Sequence, residues 1–88
     1  GEPDPARAAE LFRQAVDGGV AEAWMSLGLL HSTGRGVARD RVKAAAMLMR
    51  AADAGVAGAA AARDTVLAGL DPAQQRRAKR RAGHPRAP

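Results

Sequence analysis

The sequence predicts an all-α chain, an α-solenoid of about two antiparallel helix pairs closed by a C-terminal capping helix. Three observations carry that expectation. Residues repeat at an offset of 36, beginning with Asp4 and Asp40, and a fixed period in the thirties with two helices per unit marks a helical solenoid. Aspartates and glycines punctuate the ends of each apolar-periodic run, where helix caps need them. Apolar residues make up 47% of the chain, but alanine supplies most of them and only Phe12 and Trp24 are aromatic. The core must therefore be thin and depend on close backbone approach.

Residues 1–3 read as an N-terminal tail, and the first repeat unit spans 4–39. Asp4-Pro5 joins an N-cap to a first helical residue whose missing N–H costs nothing there. Ala8, Leu11, Phe12, Ala15 and Val16 recur at helical spacing and predict an inward face. Gly18-Gly19 stops this helix. A second helix is predicted from about Val20 to Ser32, with Ala23, Leu27 and Leu30 as its apolar stripe and Trp24 beside it. Gly28 within it costs about 1 kcal/mol relative to alanine, which predicts a close helix crossing at that point. The junction is residues 27–40, LGLLHSTGRGVARD. Gly34 and Gly36 bracket Arg35 and tolerate positive φ, Val37 tucks back under the turn, and Asp40 caps the next helix. The Gly-x-Gly here follows a helix and lacks a Gly-Lys-Ser/Thr continuation, so a helix connector is favoured over a phosphate loop.

The second unit spans 40–70. Ala44 and Ala45 answer Ala8 and Ala9, Met47 and Leu48 answer Leu11 and Phe12, and Ala51 answers Ala15. Asp53, Gly55, Val56, Ala57 and Ala59 answer Asp17, Gly19, Val20, Ala21 and Ala23. The repeat then degrades: Arg63 and Asp64 stand where Leu27 and Gly28 stood, and a solenoid end needs such a polar outer face. Asp71-Pro72 opens a basic capping helix over 71–82, with Ala78 and Ala82 as a narrow apolar edge. Residues 83–88, GHPRAP, are too proline-rich and polar to continue and are expected to be disordered.

Composition excludes several function classes. There is no cysteine, hence no disulfide, thiolate nucleophile or thiolate zinc site. No stretch approaches the ~20 apolar residues of a membrane span. No signal peptide is visible, although Gly1 in place of Met fits a trimmed or processed chain and leaves a removed one open. Residues 1–71 hold eight Lys/Arg and nine Asp/Glu, whereas residues 72–88 hold six Lys/Arg and no acid. The basicity belongs to the last helix and tail. Arg76, Arg77, Lys79, Arg80 and Arg81 there could neutralise phosphates on nucleic acid or an anionic surface. No aromatic is interleaved for base stacking and the apolar edge is small, which favours a solvated cap helix.

No catalytic constellation emerges. His31, at a helix end, reads as a packing or capping residue, and His84 shares no metal-site spacing with it or with acids. Asp4, Asp40 and Asp71 read as caps, and Asp17 and Asp53 occupy equivalent turns. Glu10, Glu22 and Asp64 fit solvated or ion-paired roles better than catalytic ones. Ser26, Ser32, Thr33 and Thr65 have no evident base and orienting partner. No enzyme, cofactor or metal is expected.

Ala15, Gly19, Ala23, Leu27-Gly28, Gly34, Gly36-Val37, Asp40 and Ala44 fall in the register of the Sel-one-like repeat, a relative of the tetratricopeptide repeat, which the chain resembles over about residues 4–62. Residues 63–82, RDTVLAGLDPAQQRRAKRRA, also look like the capping helix that closes many bacterial members. The chain departs from the pattern at His31 (usually tyrosine), Trp24 (usually polar) and Met47 (commonly tryptophan). The resemblance implies a right-handed superhelix of helix pairs, a non-catalytic protein-interaction role and a bacterial cytoplasmic or envelope setting. First helices of such units commonly line the concave side, which makes Arg13, Trp24 and Arg50 the expected residues for binding a peptide or protein. Tryptophan is also enriched at interface hot spots, although filling a gap between helices is the favoured role for Trp24.

Solenoids usually need three or more repeats. With fewer here, the face before the first helix should expose Leu11, Phe12 or neighbours, and a longer parent chain or another copy should cover it. Three readings therefore stand: an adaptor binding a protein or peptide, a nucleic-acid-associated module acting through residues 76–86, and a self-associating repeat.

Overall fold

The computed structural model describes residues 4–83, and all its regular structure is helical: α1 (Pro5–Asp17), α2 (Ala21–Thr33), α3 (Arg41–Asp53), α4 (Ala59–Ala68) and α5 (Pro72–Arg81). The tail at 1–3 and the disorder expected for 84–88 lie outside the described residues. Consecutive helices pack as pairs from α1 to α4, and α5 returns to pack on α3. The extents of 50 × 25 × 19 Å are those of a stack growing in one direction.

The period of 36 is written into the hydrogen bonds. Asp4 Oδ1 accepts from the N–H groups of Ala6 and Arg7 at the start of α1, and Asp40 Oδ1 accepts from Lys43 N–H at the start of α3. At the helix ends, Val20 N–H donates to Ala15 O at 2.9 Å and Val56 N–H to Ala51 O at 3.0 Å. In the same turns Gly19 and Gly55 take φ of 89° and 81°. These are the same left-handed termination made twice.

The repeat departs earlier than the sequence suggested. The offset would start α4 at Ala57, but residues 57 and 58 form a turn with Gly58 as N-cap at φ 81°, and α4 begins at Ala59. Arg63 and Asp64 then pair with each other at 2.9 Å on the outer side.

α3 is the spine. Eight of its residues are buried, Val42 and Ala44 through Met49 with Ala51, because it is covered by α2 on one side and by α4 and α5 on the other. Ala44, Ala45 and Ala51 have no exposed surface, so neighbouring backbones come near wherever alanine stands. Gly28 marks the closest crossing. A Cβ there would meet Leu48 Cγ and Met47 Cβ at 3.2 Å and the Ala44 carbonyl at 3.3 Å.

One face was misassigned from periodicity. Leu11 is 53% exposed, and the buried residue of α1 is Ala9, with Phe12 and Val16 packed beside it. Among the helices α1 packs chiefly on α2, so the stripe through Ala9, Phe12 and Val16 is covered and Leu11 sits beyond its edge.

Candidate interaction surface

Trp24 sits in the first turns of α2, half-buried against the cluster of Ala9, Leu27 and Met47. The Arg50 guanidinium lies over its ring, 4.9 Å from the centroid, a cation–π distance. Arg50 itself is exposed, and its Nη2 also donates to the Arg81 carbonyl at 3.3 Å, at the end of α5. This link joins an aromatic of α2, a cation of α3 and the backbone of the basic helix. Arg13 stands apart: it pairs with Glu10 on its own helix at 2.8 Å, with both side chains about half exposed.

The basic helix is divided by its packing. Ala78 is fully buried and Ala82 is 9% exposed, which places one edge of α5 on α3. Asp71 and Gln74 form a capping box, and Gln75 Nε2 donates to the carbonyls of Leu67 and Leu70 that end α4. Arg76, Arg77, Lys79 and Arg80 face solvent. Arg81 reaches toward Asp40, 3.7 Å from its carboxylate.

A feature missed from the sequence is a shallow polar groove, open to solvent and of about 380 Å³, where the starts of α3 and α5 meet the end of α4, bordered by Arg39, Asp40, Arg41, Gly69, Gln74 and Arg77. The Arg-Asp-Arg triplet around the α3 cap was its one local signal. Gly69 has an ordinary helical φ of −88°, and a Cβ there would meet the end of the Arg41 side chain, which would have to move aside.

His31 closes the junction loop. Its carbonyl accepts from Asp40 N–H at 2.9 Å and its Nδ1 lies 3.2 Å from the Ala38 carbonyl. A carbonyl can only accept, so Nδ1 carries the proton and Nε2 holds a bare lone pair. Nε2 is buried with no hydrogen-bond partner among the described residues. Burial holds the His31 pKa below the usual histidine value. The Ala38 bond and the Asp40 charge oppose this, and the charges of Lys43 and Arg13 assist it. The folded protein therefore resists protonation more than the unfolded chain, and stability is lost as pH falls below about 6.5. Urea unfolding should show a lower midpoint at pH 5.5 than at pH 7.5, with a slope of at most about 1.4 kcal/mol per pH unit from this one proton. His31→Gln should remove most of that slope. An unchanged slope in the variant would assign the pH dependence elsewhere.

Among the described residues no group of three His, Asp or Glu side chains is placed to hold a metal ion, and no helix is long and apolar enough to cross a membrane.

The fold is that of a helical repeat module, and comparison with known families gives it a family. The Sel1 repeat model matches residues 1–20 and 21–56, so the chain belongs to the Sel1 repeat family. The second match begins at α2 and runs through α3, while the period counted from Asp4 begins at α1; both have a length of 36. No curated protein and no solved structure matches the chain. Sel1 repeats are generally non-catalytic protein-protein interaction modules.

Proposed function

We propose that the chain is an adaptor that binds a peptide or protein segment on its concave face, through Trp24 and Arg50, with Arg13 as a further contact. The observation that carries this reading is the Arg50–Trp24 stack. A large aromatic is left partly exposed beneath a cation that itself stays in solvent. Such a pair presents an apolar plate and hydrogen-bond donors together, the composition of an interface hot spot.

Trp24 is the single tryptophan, so its emission reports on binding directly. The partner captured from the native source should shift that emission on titration. Trp24→Ala should weaken binding ~30-fold or more, equivalent to about 2 kcal/mol. Arg50→Ala and Arg13→Ala should have smaller effects, and each variant's thermal midpoint separates lost binding from lost fold. Affinity unchanged across all three in folded protein would move the binding surface elsewhere.

The exposure of Leu11 supports a second reading, in which α1's outer side is covered by a further repeat unit or a second copy. A strictly monomeric chain in sedimentation at high concentration would exclude the second copy.

A further inference from the structure

We propose that the groove between α3, α4 and α5 is a second binding site, one that takes a phosphate monoester carried by a partner peptide. Arg39, Arg41 and Arg77 all border it, and none of the three has a carboxylate partner among the described residues. Asp40 is the one acid at the rim, and its charge is already engaged by Lys43 N–H and, at 3.7 Å, by Arg81. With three cations and one anion, the lining is left at about +2, which matches the dianionic form of a phosphate monoester better than a single carboxylate.

The packing supports the same choice. The Arg41 guanidinium lies beside Gly69, in space that a side chain at that position would share. A planar guanidinium is suited to paired bonds with phosphate oxygens. The Asp40 carboxylate caps Lys43 N–H alone, which leaves the first-turn N–H groups of Arg41 and Val42, both residues of the groove wall, at the positive end of α3. The groove is open to solvent, and its volume of about 380 Å³ is enough for a phosphorylated side chain to enter from outside. The assignment of the phosphate to a peptide, and not to a free solute, rests on the chain's role as a protein-interaction repeat. The site itself does not depend on the Trp24 surface.

The test uses the whole chain and a fluorescein-labelled Gly-Ala-phosphoserine-Ala-Gly peptide at low salt. Saturable binding is expected, with at least 10-fold weaker binding of the unphosphorylated peptide and of inorganic phosphate. Arg41→Ala and Arg77→Ala should each weaken the phosphopeptide at least 5-fold. Gly69→Ala should also weaken it, although no charge is removed, because the new methyl displaces the Arg41 guanidinium. Arg76→Ala and Arg80→Ala, on the same helix but away from the groove, should change affinity less than 2-fold, as should Trp24→Ala. Thermal midpoints confirm that each variant folds. Equal losses from Arg76, Arg80 and the groove arginines would overturn the proposal in favour of diffuse charge attraction. Inorganic phosphate binding as tightly as the peptide would overturn the peptide source. An oligonucleotide outcompeting the phosphopeptide through Arg76 and Arg80 would assign the helix to nucleic acid. Loss of partner binding at Trp24 with phosphopeptide binding intact would bear on the adaptor surface alone.

Discussion

Gly36→Ala is expected to destabilise the chain by about 3 kcal/mol, one of the two largest single-substitution effects expected for it. Two costs combine. Gly36 has φ of 76°, where an L side chain pays about 1–2 kcal/mol. A Cβ there would also strike the Pro5 carbonyl group and come within 2.7 Å of Ala6 N. Those neighbours are backbone at the start of α1 and cannot rotate aside. The loop between α2 and α3 therefore lies directly on the first turn of α1, and a methyl must lift it off. At roughly 4–8 °C per kcal/mol for a domain of this size, the thermal midpoint should fall by ~12–24 °C. Gly55→Ala isolates the torsional part, because Gly55 has φ of 81° and a methyl added there would meet nothing within 4 Å. It should cost only about 1–2 kcal/mol. If the two substitutions proved equal, the loop would not be seated on α1 as described.

The architecture was legible because its determinants are local. Asp4 and Asp40 cap helices through their own side chains, and Ala15–Val20 and Ala51–Val56 close the same turn. An offset of identical residues therefore becomes an offset of identical bonds. Gly28 was legible for a related reason: a glycine in a helix is costly unless something comes close, and Met47 and Leu48 do. Periodicity alone misplaced Leu11, because it shows that a face is apolar but not which part of it has a neighbour; the shortage of repeats was the signal that pointed to its exposure. Of the groove, only the Arg39-Asp40-Arg41 triplet was legible, and not its assembly with α4 and α5. Arg41, Gly69 and Arg77 are far apart in sequence and meet only because α5 folds back onto α3, a tertiary event with no local signature. The Arg50–Arg81 link has the same origin, since α5 reaches Arg50 only through that return.

Leu48→Ala is the second large effect, expected at about 3–4 kcal/mol. Leu48 has no exposed surface and is one of the two largest fully buried side chains, with Met49. Its removal costs both the transfer of its methyl groups and the cavity left behind. Part of its surroundings, the alanines of the same cluster on α3 and Gly28 on α2, has no rotamers with which to fill space, while Met49 and Leu70 in that cluster can adjust. That places the cost near the middle of the usual range of about 2–5 kcal/mol. A domain of this length holds only about 4–13 kcal/mol in total, so the variant should lose a large share of its stability and unfold ~12–30 °C lower. Leu11→Ala is the matched control, the same chemical change at a position 53% exposed, and should stay within about 0.5 kcal/mol. Chemical denaturation of both variants measures the difference directly. Similar losses at the two leucines would mean that Leu11 is covered in solution, and repeating the measurement at several protein concentrations would then reveal whether a second copy covers it, since only that contact makes stability depend on concentration.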